Sequence, residues 1–306
     1  MNLKFIDTYK DLLNHRPPTT RDVGRKLVLD LVSSGYGMYH SMDSLFKRPR
    51  IQFLYIHHIF RDEEKPLTAL LEALSRHHTF ISHSEAVDRI LHDNIDKPYI
   101  CFSSDDGLKN NIGAANILSN FGAKACFFIC PGIIGEKDFD RISEFSQERL
   151  HLPPVEFMEW KDVHDLQQQG HEIGGHTWSH INIAKTPEED LEKEIEGCFK
   201  VLKEKCGSSP LHFAYPYGRL TDFTAYAREM VFRSGYASCA SASRGCHIAG
   251  NGDKIKKEDL LLRRDHVLLN WPLKHILFFI ARNSARATPE NNFYPNYAYS
   301  NPDKQS

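Results

Sequence analysis

Asp105-Asp106, the pair His176-x3-His180 and an isolated His57 far upstream are the residues in this chain whose types and spacing could carry chemistry. One carboxylate and two imidazoles can hold a divalent cation, leaving the adjacent carboxylate to handle a water proton. Adjacent carboxylates repel, so such a pair needs a cation or a raised pKa. Asp106-Gly107 by itself would read as a solvated turn, but the apolar run Tyr99–Ser103 directly before the pair reads as a strand. His176 follows Glu172–Gly174 in the same way. This donor set suits Zn²⁺ best and also accommodates Co²⁺, Ni²⁺, Mn²⁺ or Fe²⁺. Three protein ligands leave positions open for water and substrate, as a catalytic site requires and a structural one does not. A His-Glu-x-x-His reading of His171-Glu172 fails, because His171 and His176 are five apart and Gly174-Gly175 would interrupt the helix. His171 is therefore read as structural.

The elements that must position these groups alternate. Strands are predicted at Ile51–Ile56, Tyr99–Ser103, Ala125–Ile129, Glu172–Gly174, Leu211–Ala214, Tyr236–Ser238 and Leu260–Leu262. Helical patterns lie between several of them, at Leu67–Arg76, Glu85–His92, Asn111–Phe121, Trp160–Gln169, Pro187–Lys205 and Asp222–Ser234. Seven strands alternating with helices predict a parallel α/β architecture, an irregular barrel. Chemistry in such folds gathers at the carboxyl ends of the strands. His57-His58, Asp105-Asp106, His176 and Tyr215-Pro216-Tyr217-Gly218 all fall there. Three divisions are expected: an N-terminal helical extension over 1–47, the barrel over 48–283, and a polar tail over 284–306. The extension carries Tyr9–Leu13 and a helix from Asp22 to Val32 closed by Gly35 and Gly37. Asp138–Pro154 reads as a loop insertion.

The 306 residues are 41% hydrophobic and 25% charged with a net charge of −2, which gives no electrostatic case for nucleic acid. The N-terminus lacks the apolar core of a signal peptide, so a cytoplasmic location is expected. Leu268–Ile280 is too short and polar to span a bilayer. It is read as an amphipathic packing helix, with a peripheral membrane contact as the alternative. The seven cysteines read as reduced, mostly core-filling thiols, Cys126-x3-Cys130 included.

Ser103-Ser104-Asp105-Asp106-Gly107, Gly170-His171-Glu172-Ile173-Gly174-Gly175-His176-Thr177-Trp178-Ser179-His180 and Tyr215-Pro216-Tyr217-Gly218 resemble the polysaccharide deacetylases, the NodB-homology enzymes of carbohydrate esterase family 4. The resemblance covers roughly residues 50–270. It implies a distorted (β/α)7 barrel and a metal-dependent hydrolase that removes an N-acetyl group from a carbohydrate or sugar-containing precursor. Asp106, His176 and His180 are cast as metal ligands and Asp105 as the base. Thr177 stands behind the ligands, and the backbone N–H of Tyr215 is a donor to the oxyanion. Two departures stand out. The Arg that most members pair with the base is replaced by Ala214, and Arg264 or its neighbour Arg263 is expected to supply that cation. The late acid His is not evident, but a permuted subgroup carries it on the first strand, where Leu54-Tyr55-Ile56-His57-His58 fits. His57 is therefore assigned as the acid, with His58 and His266 as alternatives. Trp160, Trp178, Tyr215 and Tyr217 could stack on sugar rings or simply pack. The rival functions are an amidohydrolase acting on a non-sugar C–N bond and an inactive carbohydrate-binding homologue.

Overall fold

Strand periodicity of two decides which side chains enter the barrel and which meet the helices. In the strand Ala125–Ile129, Cys126 and Phe128 pack with Ile51, Phe53, Cys101 and Ala214, all from strands or their ends. Ala125, Phe127 and Ile129 belong instead to a core with the helical residues Leu67, Leu71, Ala115, Leu118 and Val163. The first set fills the barrel interior and the second the layer between sheet and helices. The computed structural model describes residues 5–39, 42–252 and 255–295.

Eight strands are present among them: β1 (Arg50–Ile56), β2 (Thr79–Phe80), β3 (Pro98–Ser104), β4 (Ala125–Ile129), β5 (Glu172–Gly175), β6 (His212–Ala214), β7 (Ser238–Ala240) and β8 (Arg264–His266). Seven run in the order β7-β6-β5-β4-β3-β1-β8, with β2 pairing the start of β3. Every one of these pairings is parallel. A bridge from Ala240 to Leu262, just before β8, brings the two ends together, so the sheet is a nearly closed seven-stranded (β/α)7-like barrel. Helix His83–Leu91 contributes Ala86, Val87 and Ile90 to the interior core and covers the end where the strands begin. At the tight β5 crossing, a Cβ on Gly175 would stand 2.2 Å from the Tyr236 hydroxyl and one on Gly174 2.5 Å from the Phe128 ring. Only glycine admits that approach.

Several predicted boundaries move. The last strand is Arg264–His266, not Leu260–Leu262, because β1 pairs Phe53–Tyr55 with residues 264–266. The apolar run before it makes only single bridges, Leu260 to Phe293 and Leu262 to Ala240. The seventh strand likewise begins at Ser238 rather than Tyr236. The N-terminal helix is Thr20–Tyr39 and continues through Gly35 and Gly37. A glycine costs a helix only about 1 kcal/mol, and this one is tied to helix Leu273–Arg286 by Asp30, which meets Lys274 and the buried His275. Asp138–Pro154 is not a plain loop, since Asp138 caps a helix over Phe139–Glu148 through the N–H groups of Asp140 and Arg141. The boundary expected at 284 falls inside helix Leu273–Arg286, and buried Asn292 accepts Leu261 N–H through its carbonyl. Expected tail residues 296–306 lie outside the described residues. That same helix buries Ile276, Ile280 and Ala281 in one core with Leu54 and Ile56 of β1, so the segment beginning at Leu268 is a packing element. Among the described residues no helix is long and apolar enough to cross a membrane.

Glu172 at the start of β5 accepts the backbone N–H groups of His83 (2.7 Å) and Ser84 (3.0 Å) and so caps the covering helix. Burial pushes its carboxyl upward, but His212, His83 and Ser84 outweigh it and lower the pKa from 4.5 to about 2. A depressed carboxylate stabilises the fold above its unfolded pKa and loses that contribution as pH falls through the folded value. Glu172→Gln should therefore cost about 1–3 kcal/mol at neutral pH, read by urea unfolding. The deficit relative to wild type should shrink as pH falls from 4.5 towards 2.

Candidate active site

All strands of the ring are parallel, so their carboxyl ends share one rim. The inward face of β1 carries Phe53 and Tyr55 and is continued by His57, while His58 has the opposite parity. The structure follows that parity: His57 Nδ1 stands 3.0 Å from His266 Nε2, whereas His58 turns away to Glu63 at 2.9 Å. On β8 the inward residues are Arg264 and His266. Asp265 between them faces outward to Gln52 and Asn283.

Arg264 grips Asp105 with two hydrogen bonds, Nη1 to Oδ1 at 2.7 Å and Nη2 to Oδ2 at 3.0 Å. Its Nε donates to Ser241 O at 2.9 Å, and its guanidinium lies 4.6 Å from the Tyr55 ring centroid. The pair is buried, with Arg264 1% and Asp105 3% exposed. Burial pushes Asp105 upward, but the Arg264 charge and then His176 outweigh it and hold the carboxyl below its ordinary value. Arg263 points elsewhere, donating to Asn291 O and Arg244 O.

Beside Asp105, Nε2 of His176 and of His180 lie 3.4 and 3.3 Å from Asp106 Oδ1. Asp106 Oδ1 is buried and accepts no hydrogen bond. His176 Nδ1 donates to Ala214 O at 2.7 Å, which leaves the Nε2 lone pair directed at Asp106. Burial raises the Asp106 pKa, yet the two imidazoles outweigh it and hold the carboxyl well below its usual range. No other three ligand atoms from His, Cys, Asp or Glu converge within 4.8 Å among the described residues. This orphaned, convergent donor set fits a divalent cation. Cys126 and Cys130 are no rivals, since burial pushes both thiols well above their ordinary value. The backbone is strained where it turns these groups inward: φ is positive at Asp106 (76°), Thr177 (60°), His180 (55°) and Tyr217 (64°).

Residues 92–235 match the family model described as polysaccharide deacetylase. The chain is similar there to the polysaccharide deacetylases, over just under half of its length. It is 33% identical over 60 residues to a peptidoglycan-N-acetylglucosamine deacetylase of Bacillus cereus, covering 20% of this chain and 22% of that protein. It is 38% identical over 53 residues to chitin deacetylase 1 of Cryptococcus neoformans var. grubii, covering 17% and 11%. The chain thus matches well under a third of the length of either relative. The Streptococcus pyogenes deacetylase PplD in complex with acetate superposes with a TM-score of 0.57 at 19% identity, covering 76% of this chain and 98% of that one. IcaB from Ammonifex degensii gives 0.56 at 17%, with the same coverages. At these identities the superpositions speak for the fold.

Within this polysaccharide deacetylase fold, Ala214, Tyr215 and Thr177 make contacts of their own. Ala214, in place of the family Arg, contributes its carbonyl to orient His176. The Tyr215 N–H is directed at Ala240 O at 3.4 Å, continuing the β6–β7 ladder, and its ring is buried flat on Phe223 at 4.4 Å. The Thr177 hydroxyl is buried without a hydrogen bond. Of the four aromatics, Tyr217 is the one that packs on the His176–His180 pair: 40% exposed, it lies on His180 at 5.2 Å and donates to Arg149 O of the 138–154 insertion. His171 is structural, accepting Ala125 N–H at 3.1 Å. Burial and Lys124 lower its pKa to about 4.

Glu194 was not singled out by sequence. Its carboxylate accepts Ser179 N–H (2.9 Å) and Ser179 Oγ–H (2.7 Å), while its carbonyl accepts Trp178 N–H. It thereby fixes the loop between His176 and His180. It lies in the π-helical stretch Glu192–Gly197, and such distortions are frequent at functional sites. Nothing in the linear pattern distinguishes it from the neighbouring surface acids.

Two outcomes follow. Metal-free protein titrated with Zn²⁺ should bind one equivalent by calorimetry, and Asp106→Ala should abolish that stoichiometric step. Arg264→Ala should destabilise the fold by about 3–5 kcal/mol in urea unfolding, the usual cost of leaving one partner of a buried pair alone.

Proposed function

We propose that this chain is a metal-dependent hydrolase that removes the N-acetyl group from an N-acetylated sugar. The observation that carries the reading is the placement of the Arg264–Asp105 pair beside the Asp106, His176 and His180 set on one barrel rim. The choice of an acetylated sugar is supported by the family match and by two relatives named for deacetylating peptidoglycan N-acetylglucosamine and chitin.

A divalent cation held by Asp106, His176 and His180, Zn²⁺ being the best fit to the donors, would polarise the acetyl carbonyl and acidify a water. Asp105 takes the proton of the attacking water. Arg264 keeps that carboxylate ionised and presents it in one orientation through its two parallel bonds. His57, on the inward face of β1, gives a proton to the departing nitrogen as the C–N bond breaks. Its own pKa is lowered by burial, with Asp106 and Asp105 pulling in the opposite direction. The bond of His58 to Glu63 on the outward side favours His57 for that part.

The test is acetate release from N-acetylglucosamine oligomers by protein stripped of metal and then resupplied with Zn²⁺ or Co²⁺. Acetate should appear only with metal and vanish in Asp105→Asn. His57→Ala should retain metal binding and lose roughly two to four orders of magnitude in rate. Stoichiometric metal binding with no acetate from any sugar would sink the proposal and point to a non-sugar C–N bond.

A further inference from the structure

The contact between His57 and His266 has no part in the chemistry above, yet it joins two half-buried rings on the inner wall of the barrel. We propose that His266 is the positioning residue of His57, its Nε2 accepting the Nδ1–H of His57 so that the proton to be delivered stands on His57 Nε2. The inference rests on His57 being the acid.

The geometry comes from the register. β1 and β8 are paired with Tyr55 opposite His266, so His57, two residues on and with the same parity, leans over the neighbouring strand. The two rings meet edge-on, with centroids 4.7 Å apart and planes at 84°. That arrangement lets one ring nitrogen lie in line with the other at 3.0 Å. His266 is itself held by stacking on Tyr55 at 4.8 Å and 20°, and the Tyr55 ring lies against the Arg264 guanidinium. β8 therefore supports both ends of the reaction, Arg264 holding the base and His266 the acid.

One nitrogen-to-nitrogen contact holds one hydrogen. Burial, reinforced by His57, lowers the His266 pKa to about 2, so His266 is neutral and offers one N–H and one lone pair. If His266 donated, His57 could carry a proton only on Nε2 as a neutral imidazole, far too weak an acid for an amine. If His266 accepts, protonated His57 has a single deliverable proton, on Nε2. In that step the C–N bond breaks and the His57 Nε2 proton goes to nitrogen. Water adds its oxygen to the acyl carbon and its proton to Asp105, from which solvent exchange restores His57.

The test compares His266→Phe, which keeps a ring on Tyr55 but removes the acceptor, with His266→Gln, which keeps a polar side chain. Histidine ¹⁵N shifts of the zinc-loaded protein should show neutral His57 as the Nδ1–H tautomer in wild type and not in His266→Phe. Hydrolysis of N-acetylglucosamine oligomers should fall roughly ten- to a hundredfold in His266→Phe, the usual loss when the partner that fixes an imidazole is removed, and recover in part in His266→Gln. Hydrolysis of 4-nitrophenyl acetate, whose leaving group needs no proton, should change by less than about twofold on the same ground. An Nε2–H tautomer of His57 in wild type overturns the inference whatever the turnover. So does an equal loss on both substrates, or no loss on the sugar while His57→Ala is slow. Full sugar activity in His57→Ala would instead remove the acid assignment itself, and this inference with it.

Discussion

A guanidinium and a carboxylate 159 residues apart in the chain meet inside the barrel with almost no access to water. Neither charge would be tolerated there alone, since an unpaired buried ion costs several kcal/mol. Their two parallel bonds therefore fix more than a local geometry. They require β8 to lie against β1 in the register that puts Arg264 opposite Phe53, and β3 to end where Asp105 faces inward. That register sets the parity of His57, His58, Asp265 and His266 in one stroke. Cation contacts to Tyr55 and Phe128 and the bond to Ser241 O complete the satisfaction of Arg264.

Around that pair the site divides by strand. β3 supplies the proposed base and one proposed ligand from adjacent positions. The tight turn after β5, freed by Gly174-Gly175, supplies two imidazoles. β6 contributes only a carbonyl, which selects the His176 tautomer. The loop carrying the imidazoles is secured by Glu194 from a π-helical stretch that also buries Ile195 in a core. Positive φ values at Asp106, Thr177, His180 and Tyr217 show where the backbone is bent against its preference to converge these groups. Such strain persists because the strands on either side are packed and hydrogen-bonded.

The N-terminal extension and the chain after β8 are also parts of this support. Helix Thr20–Tyr39 meets helix Leu273–Arg286 through Asp30 and His275, and residues 289–293 bond back to the segment leading into β8. β8 is short, only three residues. Packing on both sides is what allows three residues with polar side chains to serve as a barrel strand.

The sequence by itself determined the strand-and-helix alternation, because period-two apolar runs followed by amphipathic stretches have no other economical fold. It also pointed to the convergent Asp106, His176 and His180 set, because adjacent Asp residues and a His-x3-His pair behind predicted strands are rarely brought together by packing needs alone. It did not determine β8, since Arg264-Asp265-His266 is polar and reads as loop until the partner of each side chain is known. Nor did it determine which acidic residue anchors the His loop, or that Ala214 acts through its carbonyl. Those outcomes depend on contacts between residues tens to more than a hundred positions apart. Such contacts are made by register and parity across strands, and a linear pattern carries no record of them.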